Sequence, residues 1–140
     1  MRGQVLLDAG PLVALLDRRD RYHDWAKEQA DRVRWPISTC EPVVAEAFYL
    51  LRELPPAREA IMELLARGAL TVPFHLETHV TAIASLLERY ADVPMSLADA
   101  CLVHMSEMVP GSTLYTMDSD FRVYRRHRRE PIPLLIPTDR

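Results

Sequence analysis

Four acidic residues, Asp8, Glu46, Asp99 and Asp118, stand where a folded domain rarely places charge. Asp8 ends the apolar run Val5-Leu6-Leu7. Glu46 interrupts the apolar segment from Pro42 to Leu51. Asp99 interrupts Met95 to Val103, and Asp118 follows Ser112 to Met117. A half-buried carboxylate is costly unless something cancels its charge. If the four converge, cations are needed, and ligands made only of oxygen favour hard ions such as Mg²⁺ or Mn²⁺. That donor set suits metal-assisted cleavage of a phosphodiester.

Each acid also has an ordinary reading. Asp8 stands just before Gly10-Pro11 and can cap a helix. Glu46 can snorkel from a helix flank. Ser96-Leu97-Ala98-Asp99 fits a capping box, and Asp118 or Asp120 can cap a short helix starting near Ser119. The intervals between the four are 38, 53 and 19 residues, so they belong to different elements and only a folded chain can assemble them.

The pattern predicts those elements. A strand ends at Leu7 and a helix opens at Pro11, which suits a first turn. Helices are expected over 23–33, 41–52, 57–66, 76–90 and 96–108, with Gly68 as a C-cap. Further strands are expected at 35–38, 70–72, 113–115 and 132–136, the last demoted to a sheet edge by Pro133. A short helix is expected from Ser119 to Arg126. Short apolar strands alternating with helices imply an α/β sandwich around a mainly parallel sheet. In such a sheet ligands bind beyond the carboxyl ends of the strands, where Asp8 and Asp118 fall.

At 140 residues and 49 % apolar content the chain is expected to form one domain, 1–140. No apolar run approaches the ~20 residues of a membrane span, and a short N-terminal run cut by Asp8 is no signal peptide. The expected location is the cytoplasm, with no membrane partner. Cys40 and Cys101 lack metal or redox spacing and read as small core residues. Lys27 is the only lysine and there are four glycines, so no P-loop or dinucleotide fingerprint occurs. The net charge of −3 argues against nonspecific coating of nucleic acid. Arginines nevertheless cluster at 18–21 and 122–129, and Arg125, Arg126 and Arg128 are candidates for RNA phosphate contact. His75 and His79 are four apart but lack the H-E-x-x-H pattern of a zinc site. A phosphoaspartate phosphatase built on Asp8 would want an acid two residues on, where Gly10 stands.

The ordered set Val5-Leu6-Leu7-Asp8, Glu41-Pro42-Val43-Val44-Ala45-Glu46-Ala47, Ser96-Leu97-Ala98-Asp99-Ala100 and Thr116-Met117-Asp118-Ser119-Asp120-Phe121 resembles PIN-domain ribonucleases of the VapC-like toxin type. The resemblance covers nearly the whole chain. It implies a PIN-like three-layer sandwich, a mainly parallel sheet flanked by helices. It also implies a Mg²⁺- or Mn²⁺-dependent endoribonuclease that hydrolyses RNA with a metal-activated water. Asp8, Glu46, Asp99 and Asp118 map to the catalytic, metal-holding acids, with Asp120 and Thr116 as accessory candidates. A toxin of a toxin–antitoxin pair, a cognate antitoxin and a homodimer through helices between Glu41 and Ala66 are implied as well. Ala9 and Gly10 depart from the small hydroxyl residues that many members carry after the first Asp. The alternative is a noncatalytic PIN-like module that binds RNA or protein.

Overall fold

The computed structural model describes residues 3–140; Met1 and Arg2, which belong to the expected domain 1–140, lie outside the described residues. The chain runs β1 (Val5–Leu7), α1 (Ala9–Leu16), α2 (His23–Arg32), β2 (Ile37–Ser38), α3 (Glu41–Leu50), α4 (Pro55–Ala66) and β3 (Leu70–Thr71). It continues through α5 (Val80–Arg89), α6 (Leu97–Met108), β4 (Thr113–Tyr115), β5 (Arg125–Arg126), β6 (Glu130–Pro131) and β7 (Leu134–Leu135). Five strands form one sheet in the order β3-β2-β1-β4-β7, and every pairing is parallel. β5 and β6 form a separate antiparallel hairpin.

Val5, Leu6 and Leu7 are at most 2 % exposed. Successive strand residues point to opposite faces, so both faces of the central strand are covered. This is why β1 reads as an unbroken apolar run rather than an alternation. The layers are helix, sheet, helix, as expected. The chain builds outward from β1 to β2 and β3, then crosses back to lay β4 on the other side of β1. The reversal makes a crevice between the carboxyl ends of β1 and β4, the usual ligand position in such sheets.

Local chemistry explains where the elements stop. α4 ends in a Schellman motif: Gly68, at φ 75°, donates its N–H to Leu65, and Ala69 donates to Leu64. The helix expected from Leu76 begins instead as a 3₁₀ turn over Leu76–His79, because His75 gives no side-chain cap and the first turn tightens. The short helix expected from Ser119 to Arg126 is corrected more strongly. It is a 3₁₀ turn that ends at Arg122. Phe121 and Tyr124 are both fully buried, and the chain then enters the β5–β6 hairpin, with His127 at φ 49° and Arg128 at φ 69° in its turn. The last strand, β7, lies at the sheet edge as Pro133 requires. Among the described residues no helix is long and apolar enough to cross a membrane.

Candidate active site

Asp8 follows β1 directly and caps α1. Its Oδ1 accepts from the Ala9 N–H at 2.8 Å, and its Oδ2 accepts from the Thr116 hydroxyl at 2.7 Å. Asp8 is 7 % exposed and Thr116 is fully buried. The same Thr116 oxygen accepts the Asp118 N–H at 3.0 Å. Thr116 therefore ties the acid after β1 to the acid after β4 across the crevice. Asp118 turns its own Oδ1 to the Asp120 N–H at 2.9 Å, capping the 3₁₀ turn. Asp120 is half-buried beside it.

Asp99 lies in the first turn of α6, 9 % exposed. The capping box anticipated for it is present: the Asp99 N–H donates to Ser96 Oγ at 3.0 Å, and the Ser96 N–H donates to Asp99 Oδ2 at 3.2 Å. Capping and a place in the cluster coexist. Sequence reasoning missed a third contact, the buried Tyr124 hydroxyl, which donates to Asp99 Oδ2 at 3.1 Å. Helical spacing through residue 126 would have assigned Tyr124 a face, but the hairpin decides where its hydroxyl goes.

Glu46 projects from α3. Glu46 is itself exposed, between buried Val43 and Leu50, which is 50 % exposed, so it stands at the open rim of the crevice. It belongs to the cluster electrostatically all the same. Partial burial raises its pKa first, and the charges of Asp99 and Asp118 raise it further. Burial likewise raises Asp99 against the opposing hydrogen bonds from Ser96 and Tyr124, with Asp118 adding to the rise. Asp8 is pushed up to about 7, mainly by burial; the bonds from Thr116 and Ala9 oppose this, and the charges of Asp99 and Glu46 reinforce it. Asp8, Glu46 and Asp99 thus share one field, and Asp118 acts on Glu46 and Asp99, although 110 residues separate the first acid from the last.

Among the described residues, none of the four acids takes part in an ion pair. Nor is any group of three or more His, Cys, Asp or Glu side chains drawn close enough to clasp a metal ion. The donor set, all oxygen and destabilised as anions, fits a hard divalent cation. Cys40 and Cys101 are buried core residues, as expected.

The candidate arginines are placed differently from one another. Arg125 donates to the carbonyls of Arg122, Val123 and Tyr124, and Arg126 pairs with Glu130 at 3.2 Å. Arg128 is exposed in the hairpin turn. His79 is not free for a site with His75. Its ring stacks on Phe74 and its Nδ1 lies 3.2 Å from His104 Nε2, while His104 Nδ1 faces Glu107.

Against known proteins, a sequence model of the PIN domain matches residues 5–126. No curated protein sequence matches the chain. Among solved structures, it resembles VapC20 of Mycobacterium tuberculosis, a toxin that cleaves the sarcin–ricin loop, with a TM-score of 0.73. The two are 18 % identical, over 86 % of this chain and 94 % of that one. At that identity the likeness speaks for the fold.

Proposed function

This chain belongs to the PIN domain family, and we propose that it is a Mg²⁺- or Mn²⁺-dependent endoribonuclease that hydrolyses RNA phosphodiester bonds. Asp8, Glu46, Asp99 and Asp118 are the residues that would hold the cation. The observation that carries this reading is the gathering of four acids, from four separate elements, into one field at the switch point of a parallel sheet. Asp8 is so strongly destabilised as an anion that its pKa rises to about 7. Such an ion neutralises phosphodiester charge and makes water nucleophilic near neutral pH. The chain's own part is placement. Thr116 and Ala9 hold both Asp8 oxygens, the capping box holds Asp99, and Asp120 holds Asp118 through its backbone. Asp120 and Thr116 are accessory residues in this reading.

Incubating single-stranded RNA with the metal-stripped protein tests the proposal. Cleavage should appear on adding millimolar Mn²⁺ or Mg²⁺ and stop with excess EDTA. The alternative is a noncatalytic module that binds RNA or protein. RNA binding without Mn²⁺ binding in calorimetry would select that reading.

The likeness in fold to VapC20 supports a toxin role, with a cognate antitoxin as protein partner. We extend the proposal to a single domain spanning 1–140, working in the cytoplasm as a homodimer. Tyr49 and Leu50 at the end of α3 and Met62 on α4 are 62 %, 50 % and 54 % exposed, an apolar surface suited to self-association through 41–66. Light scattering at high micromolar concentration should give twice the chain mass, and replacing Leu50 and Met62 with Lys should give monomers.

The hairpin arginines are proposed to grip RNA unequally. Arg128→Gln should weaken RNA binding nearly uniformly across sequences and reduce the slope of log K against log salt by about 1, the loss of one phosphate contact. Arg125→Gln should act on stability instead, because its guanidinium already serves three carbonyls. Filter binding over a salt series, paired with thermal melts, separates the two.

A further inference from the structure

We propose that Tyr124 is a positioning residue of the cation site, acting through Asp99; the inference rests on the nuclease reading above. Tyr124 is fully buried, and its hydroxyl donates to Asp99 Oδ2 at 3.1 Å. That oxygen already accepts the Ser96 N–H at 3.2 Å. Its two in-plane acceptor directions are therefore taken. The hydrogen bonds from the Ser96 N–H and the Tyr124 hydroxyl both fall on Oδ2, and Asp99 is 9 % exposed. A carboxylate held twice on one oxygen has its plane fixed, which orients it for a ligand.

The choice of donor matters. An arginine or lysine at this place would orient Asp99 but also cancel its charge. A phenol orients and leaves the full negative charge in place. The ring itself has little freedom. It meets Phe121 edge-on at 5.2 Å and Tyr90 at 5.1 Å, and the Tyr90 hydroxyl accepts the Arg125 N–H at 3.0 Å. Without the Tyr124 hydroxyl, Ser96 alone would hold the carboxylate, and it could turn. Partners that orient metal-ligating groups typically change metal affinity or activity 10–100-fold when removed.

The test measures Mn²⁺ binding to metal-stripped protein by calorimetry, for wild type, Tyr124→Phe and Tyr90→Phe. Both substitutions keep an aromatic ring and remove one hydroxyl from the same cluster, but only the first hydroxyl touches Asp99. Tyr124→Phe should weaken Mn²⁺ binding by about 10–100-fold, while Tyr90→Phe leaves it unchanged. In RNA cleavage, Tyr124→Phe should raise the Mn²⁺ needed for half-maximal rate, recover kcat toward wild type at saturating Mn²⁺, and leave the KM for RNA unaltered. Mn²⁺ affinities alike in all three proteins would overturn the positioning role, even if both variants melt lower. Wild type that binds no Mn²⁺ would remove the nuclease reading itself, and this role with it.

Discussion

Asp8→Asn should lower Mn²⁺-dependent RNA cleavage by at least about a thousandfold, equivalent to roughly 4 kcal/mol of transition-state stabilisation, and should also raise the melting temperature of the metal-free protein above pH 7. The two effects have one origin. Asp8 is buried and sits in the field of Asp99 and Glu46, so its charge is useful only when a cation offsets it. Its folded pKa of about 7 lies above its ordinary value of 3.8. The folded state therefore binds more protons than the unfolded state between those values. The stability of the protonated form is fully present below pH 3.8 and is lost as pH rises through 7. Each unit of that shift is worth about 1.4 kcal/mol. Asparagine keeps an oxygen for the Ala9 cap, removes the charge, and disturbs the Thr116 bond at a cost of about 1 kcal/mol. Relief of the charge should win at pH 8, and the lost bond should win at pH 4. Thermal melts in EDTA across that range, beside a cleavage assay, read both effects. A mutant that cleaves like wild type removes Asp8 from the site. One that melts lower at pH 8 removes the charge argument.

Mn²⁺ should stabilise wild type strongly. A ligand that binds only the folded state adds about 2.7 kcal/mol at a hundred times its dissociation constant. For a chain of this size that is roughly 10 °C in Tm. The gain should depend on pH with the opposite sign to the metal-free effect. Cation binding must expel the Asp8 proton, so Mn²⁺ stabilisation should be full above pH 7 and fade as pH falls toward 5. Asp8→Asn should flatten this dependence as well as reduce the gain. Differential scanning fluorimetry with and without millimolar Mn²⁺ at three pH values is sufficient. A Tm indifferent to Mn²⁺ at pH 8 would argue against a functional cation site.

Some of this architecture was legible before any coordinates. The apolar run at Val5–Leu7, the capping box at Ser96–Asp99, the stop at Gly68 and the edge strand after Pro133 each depend on residues within a few positions, and each is found where expected. The acids were legible as misfits because a carboxylate inside an apolar run contradicts the pattern around it. The reading that failed did so at a tertiary contact. The expected helix through Arg126 yields to a hairpin because burying Phe121 and Tyr124 outweighs helical spacing. Glu46 sits at a rim, because the end of α3 with Leu50 is exposed. The arginines differ because carbonyls and Glu130 claim two of them.

By itself, then, the sequence determined most of the helices and strands and a mainly parallel sheet, which local propensity and periodicity encode, and it marked the acids as misfits in apolar runs. Only the tertiary structure decided that the chain reverses between β1 and β4, that Thr116 bridges Asp8 and Asp118, and that Tyr124 rather than a charged group meets Asp99. The Thr116–Asp8 and Tyr124–Asp99 contacts join residues 108 and 25 positions apart. No local pattern encodes them, because the free energy that selects them comes from burying both faces of one sheet at once.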